Sequence, residues 1–213
     1  MRFDFADYNA KDCYKLVTGG VIPRPVGWVT TMSPAGVVNA APYSFFNVFG
    51  DKPAIMVLGF QDHADGTPKD TALNIRQSGE FVVNMLTPDL AEKMVETAAA
   101  YPPEQGEPEA VGLTLAPSVA VAPPRLAEAP VAYECRRLTA LSFSAGRELL
   151  VGEAVAMEAR DGLVEPETLR FDWEGVFPLA RLFGPRYAVL EEIEPLPIPE
   201  PRPKPGAAPE AAE

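Results

Sequence analysis

Thr30, Thr31, Asn39, Tyr43, Ser44 and Asn47 fall within eighteen residues of one another, in a stretch otherwise apolar enough to be core. Each can donate or accept hydrogen bonds, and a hairpin that only had to pack would not need them. Such a density predicts a bound polar ligand carrying an anionic group. A second group stands at Lys69-Asp70-Thr71. There a cation, a hydroxyl and the free N–H groups of a helix start suit a phosphate. The plainer reading of that tripeptide is a capped helix beginning with a solvated lysine. The single histidine, His63, sits in a polar loop and reads as a loop residue ahead of one that lines a site. One histidine excludes a His-rich metal site, and no nucleophile-elbow motif accompanies it. Glu153 falls on the apolar face of its strand and is expected to be a structural carboxylate paired with a neighbour such as Arg137, ahead of a catalytic acid. Cys13 and Cys135 are too far apart in sequence for a framework and are expected to be free, partly buried thiols. With no acid–base dyad in view, the difficult chemistry falls to a cofactor, and no catalytic residue is named.

The elements that must position these groups follow from pattern. Residues 10–18 form a short helix with Asn9 as its N-cap and Gly19 at its end. Val21 to Pro25 is extended. A strand over about Val26–Met32, the turn SPAG and a second strand over about Val37–Ala41 make the hairpin, and Pro42 bars continuation as a central strand. Residues 54–60 read as a buried strand and 61–68 as a polar loop. A helix capped by Asp70 or Thr71 follows, closed by Gly79. Residues 80–86 are a strand, and Thr87-Pro88 opens a helix running to about Ala99. Residues 101–130, dominated by Pro, Gly and Glu, read as a long excursion and not a second domain.

Next comes an antiparallel pair. Val131, Tyr133, Cys135, Thr139, Leu141 and Phe143 share one face, and so do Leu149, Val151, Val155 and Met157, with SAGRE as the hairpin loop. Residues 161–187 are turns with short elements, and Tyr187–Ile193 is a last strand. From Pro195 onward seven of nineteen residues are Pro, which makes 195–213 an extended or disordered tail behind one domain over 1–194. The chain is therefore mainly β, a small antiparallel barrel with two or three helices on its outside. Neither a G-x-G-x-x-G after a strand nor a P-loop is present.

A chain of 213 residues with 47% apolar and 23% charged content can bury a real core. Its net charge of −12 and pI near 4.6 argue against nucleic acid and against anionic membranes. A small phosphorylated ligand, served by a few local cations, is still allowed. No run approaches the roughly 18–20 apolar residues of a membrane span. The N-terminus MRFDFADYNAKD does not read as a secretory signal, so the cytoplasm is the expected compartment.

Taken together, RPVGWVTT (24–31), NAAPYSFFN (39–47), KDT (69–71), GEFVVN (79–84), LVGEAVAM (150–157) and PLARLFGPRYAVL (178–190) resemble the flavin reductase-like flavoproteins, which include flavoredoxin-type members. The resemblance covers most of residues 10–193. It implies a mainly β fold, the FMN-binding split barrel, with six antiparallel strands and a few peripheral helices. It also implies bound FMN and a homodimer with flavin near the subunit interface. Carried over residue by residue, Thr30 and Thr31 lie against the isoalloxazine or ribityl chain. Asn39, Ala40, Ala41, Pro42, Tyr43 and Ser44 run along the flavin, with Ser44 reaching its phosphate. Lys69 and Thr71 complete the phosphate site, Asp70 caps the helix, and Arg24 is a further cation. Tyr187, with Arg186 beside it, approaches from the C-terminal part.

Period two sets a limit on this picture. Trp28 and Thr30 share a strand face and Thr31 points the other way, so both threonine side chains cannot face one ring in a regular strand. Trp28, Tyr43, Phe45 and Phe46 are either ring faces or core. The implied activity is an NAD(P)H-dependent flavin reductase, with NADH or NADPH as reductant, serving a separate monooxygenase. The alternatives are a flavoredoxin-like carrier that holds FMN tightly and serves a redox partner, and a non-catalytic flavin-binding module.

Overall fold

The first half of the chain folds into two hairpins because its apolar runs are broken by turn-forming residues. In the structure, a computed structural model describing residues 1–199, these are β1 (Gly27–Met32) with β2 (Val38–Tyr43), and β3 (Phe46–Asp51) with β4 (Ala54–Gln61). Three more strands follow: β5 (Glu80–Met85), β6 (Val131–Ser144) and β7 (Arg147–Ala159). They join in the order β2-β1-β5-β6-β7-β4-β3, every neighbouring pair antiparallel. This sheet has seven strands where six were expected, and the strand that sequence pattern did not reveal is β3.

β2 and β3 are consecutive in the chain, joined by Ser44 and Phe45, yet they stand at opposite ends of the strand order. A sheet whose two edges are two residues apart in sequence must curl until the edges meet. One buried cluster accordingly takes Val29, Tyr43, Phe46, Leu58, Phe81, Leu150 and Cys135 from the seven strands. Ile75 and Ala72 of helix α2 (Asp70–Ser78) plug the same core. The split lies between β2 and β3, where the Gly59 N–H donates to the Phe45 carbonyl at 2.7 Å.

Pro42 stays inside β2, opposite Trp28, so the strand runs two residues past its expected end at Ala41. This suits an edge strand. Ala40 turns its N–H away from β1, and Pro42, two residues on, has its missing N–H on that same open side.

Helix α1 (Ala10–Gly20) is capped as expected by Asn9, whose side chain accepts from the Lys11 and Asp12 N–H groups, and it ends one residue beyond Gly19. α2 starts differently from expectation. Lys69 occupies the N-cap position without a side-chain cap bond, and Asp70 is the first helical residue, so Asp70 does not cap. Gly79 closes α2 at φ 73°, a left-handed conformation that glycine adopts without strain. The Thr87-Pro88 start yields a 3₁₀ turn and then the short α3 (Ala91–Glu96), not a helix to Ala99.

In the β6–β7 hairpin, register shifts between Val151 and Gly152 and between Ala154 and Ala156 interrupt the expected alternation. A slip of one residue turns the following side chains over. The shared apolar face ends near Cys135, and Leu138, Leu141, Phe143, Val155 and Met157 are exposed. Cys135 is a buried free thiol, and Cys13 a half-buried one. The last strand shrinks to Tyr187–Ala188, because its partner Ala180–Arg181 is only two residues long; Arg24–Pro25 completes that small sheet.

The excursion over 101–130 carries α4 (Glu107–Ala110) and two two-residue strands. Buried Glu134 anchors it by accepting from the Val119, Ala120 and Val121 N–H groups. Of the expected tail, 195–199 lacks regular secondary structure and 200–213 lies outside the described residues. Among the described residues no helix is long and apolar enough to cross a membrane.

Candidate functional site

The two threonines of β1 point to opposite sides, as period two demands, and each meets a different partner set. Thr30 donates to the Pro124 carbonyl at 2.6 Å and accepts from Asn84. Asn84 also accepts from the Leu126 N–H, so this face of β1 braces the 120s segment. Thr31 faces α2. It donates to Asn39 Oδ1 at 3.2 Å and accepts from Asn74 Nδ2 at 3.0 Å. Thr71 donates to the same Asn39 oxygen at 2.7 Å.

Asn39 then hands the network on. Its Nδ2 donates to one Glu107 oxygen at 2.8 Å, and the Ala40 N–H donates to the other at 2.9 Å. Thr31, Asn39, Thr71, Asn74 and Glu107 are all buried, and their mutual bonds satisfy groups that would otherwise be costly to bury. Burial pushes the Glu107 carboxyl pKa up, while the Ala40 N–H and Asn39 pull it back. Glu107 was not visible as a site residue in the sequence. The one local signal is Gly106 before it, where a Cβ would stand 2.5 Å from the Val38 carbonyl oxygen. Only glycine lets α4 approach β2 that closely.

Around this network lies a cavity of about 260 Å³. Asn39, Ala41, Pro42 and Tyr43 of β2 form one wall, Lys69, Asp70 and Thr71 a second, and residues 98–101 with Glu107 a third. His63 also lines it, the second of the two readings its loop allowed. Trp28 sets the third wall indirectly: its indole N–H donates to Thr97 at 2.9 Å, where α3 gives way to that segment. Trp28 is therefore a core residue, and Phe46 belongs to the barrel core while also lining a second cavity. Tyr43 packs edge-on against Phe60 with 4.8 Å between centroids, and its hydroxyl is buried without a hydrogen-bond partner. Burial drives its pKa far up, so it stays protonated. The Lys69 ammonium lies 5.9 Å from the centre of that ring. An uncapped helix start beside a lysine is receptive to an anion.

The structure divides the expected ligand set. Arg24 and Ser44 line a separate, aromatic cavity of about 430 Å³. Arg24 is held there by the Thr18, Val21 and Leu182 carbonyls, to which it donates at 2.8, 2.8 and 2.6 Å. It ties α1 to the C-terminal part and is not beside Lys69. Tyr187 lines neither cavity: its ring lies 4.5 Å from the Arg181 guanidinium, which donates to the Tyr187 hydroxyl. Arg186 lies over Phe183. Glu153 stands opposite Arg136 across the strands, and the expected pair with Arg137 is not formed.

Residues 19–180 match the flavin reductase like domain. The chain belongs to the flavin reductase-like family. Membership places it among flavoproteins with a split barrel, as the motifs and the sheet order both indicate. It is similar to the 2-nitrobenzoate 2-nitroreductase NbaA of Pseudomonas fluorescens, at 37% identity and a TM-score of 0.86 over 97% of this chain and 100% of that one. It is also similar to nitrilotriacetate monooxygenase component B of Bacillus cereus, at 36% identity and a TM-score of 0.86 over 92% and 98% of the two chains. A split barrel domain from Shewanella frigidimarina shares the fold, with a TM-score of 0.80 at 20% identity over 93% of this chain and 100% of that one.

Proposed function

We propose that this flavin reductase-like protein binds FMN in the cleft between β2, α2 and residues 98–101, and that it acts as an NAD(P)H-dependent flavin reductase. The observation that carries this reading is the uncapped start of α2 with Lys69 beside it, facing the open edge of β2. A phosphate dianion fits that donor set. Lys69 supplies the charge, the first-turn N–H groups of α2 supply directed donors, and the Tyr43 hydroxyl is a buried donor without a partner. Asp70 and Glu107 also line the cleft, but both Glu107 oxygens are already engaged by β2.

When bound, the flavin supplies a ring that takes a hydride from NADH or NADPH and hands its electrons on. The chain's own residues supply geometry. Ala40 and Pro42 turn their carbonyls to the open side of β2, where they can meet the polar edge of a ring. The Asn39–Thr31–Thr71–Glu107 network keeps that edge rigid, so that binding loses less conformational freedom. Thr71 acts through its backbone N–H, since its hydroxyl is committed to Asn39. No side chain is assigned as catalytic acid or base.

The likeness to a monooxygenase component B supports a reductase that serves a separate oxygenase. Exposed Leu138, Leu141, Val155 and Met157 on the β6–β7 hairpin support a homodimer, in which a second copy covers them. The working domain is residues 1–194, acting in the cytoplasm.

The purified protein is expected to take up FMN, show flavin absorbance, and bleach on addition of NADH or NADPH. Lys69→Ala is expected to weaken FMN binding roughly tenfold or more, the value of one charge-assisted contact. Unchanged affinity in that variant, measured by flavin fluorescence, would remove the phosphate assignment. Bleaching by a reduced partner protein but not by a nicotinamide would favour the electron carrier.

A further inference from the structure

The aromatic cavity beside the β2–β3 split is not explained by the phosphate cleft. At about 430 Å³ it lies within the usual range for small organic ligands. Phe45, Phe49, Phe60 and Phe143 line it, together with two cations, Arg24 and Arg147, and one acid, Glu148. Glu148 is already paired with Arg76. Arg24 is buried, and its bonds go to three carbonyl oxygens, neutral partners that leave its charge uncompensated. Its Nε is buried without a partner. Among the described residues Arg147 makes no ion pair. In a chain of net charge −12, two unopposed cations on an aromatic cavity invert the average character of the molecule. Where buried Phe60 and Phe46 keep water out at the cavity's inner wall, the pull of a cation on an anion is strengthened.

We infer that this cavity binds a planar aromatic carboxylate of one or two fused rings, with the phenylalanines against the ring and Arg147 on the carboxylate. Ring–ring contact is favoured in offset or edge-on geometry, and a guanidinium matches a carboxylate through two parallel N–H donors. As the seat of an electron acceptor the cavity depends on the flavin reading above; as a binding site it does not.

The test is calorimetric titration of the full chain with 2-naphthoate and with its neutral amide. Naphthoate is expected to bind at least about tenfold more tightly than the amide, the difference made by a charge-assisted pair. Arg147→Ala is expected to lose roughly tenfold to a hundredfold in naphthoate affinity while keeping its melting temperature and its FMN binding. Arg147→Lys recovers part of the loss. Lys69→Ala leaves naphthoate binding intact, so the two sites fail or stand separately. Equal binding of the two probes, no naphthoate heat, an unaffected Arg147→Ala variant, or displacement of naphthoate by FMN would each overturn the assignment.

Discussion

Glu107 shows how one carboxylate can fix the edge strand that walls a cleft. Its two oxygens take the Asn39 amide and the Ala40 N–H, so the orientation of Asn39 and the position of the β2 edge depend on it. Glu107→Gln keeps the size but sets an amide donor against an existing donor, leaving a buried group unsatisfied. About 1–3 kcal/mol of stability is expected to be lost. The pH dependence has a definite sign. Burial raises the folded-state pKa above the ordinary 4.5, so the folded protein holds this proton more tightly than the unfolded chain. The parent's advantage over the variant is therefore expected to shrink as pH rises from below 4.5 through the raised pKa, then to level off. Denaturant melts of both proteins across that range measure it. A gap that widens with pH would mean that the hydrogen bonds to Asn39 and Ala40 outweigh burial.

At the scale of elements, α4 and β2 meet through Gly106. Gly106→Ala forces a Cβ against the Val38 carbonyl, a backbone atom that cannot swing aside. About 1–3 kcal/mol of overpacking is expected, with Glu107 drawn off Asn39 and FMN bound more weakly. Thermal melts and flavin titration of the variant check both effects, and an unaltered FMN affinity would disconnect α4 from the cleft. The same contact explains what sequence could and could not reveal. The β1–β2 hairpin, α2 with its Gly79 stop, and the β6–β7 pair announce themselves by local periodicity and turn residues. β3 does not, because only Phe46 of its six residues is buried, and one inward residue makes no alternation. Glu107 lies 68 positions from Asn39, and no local pattern reports a partner that distant. Lys69 and Thr71, which the sequence groups as an anion site, do line one cleft, because a helix start carries its own local signal. Arg24 and Ser44 line the other cavity, because nearness in sequence to β1 and β2 says nothing about which cavity a side chain enters.

At the scale of the whole molecule, exposed apolar side chains gather on the β6–β7 hairpin in a chain that is otherwise acidic. Replacing one of them by a like-charged residue tests the proposed pairing of two copies. Leu141→Glu is expected to shift the protein from dimer to monomer in sedimentation experiments, since two copies would bring carboxylates into an apolar contact. A parent protein that sediments as a monomer at all accessible concentrations would remove the dimer.

The placement of β2 and β3 at opposite ends of the strand order also fixes when the barrel can be completed. Synthesis delivers β1 to β4 first, as two local hairpins, but the inner edge of β4 waits for β7, whose residues lie some hundred positions later (Leu58 faces Leu150). Until then an apolar edge, Ala54–Gln61, stands with its backbone groups unpaired. A barrel closed by contacts this distant in sequence is expected to fold slowly, its β4 edge staying open until β7, to about residue 159, is available to pair with it.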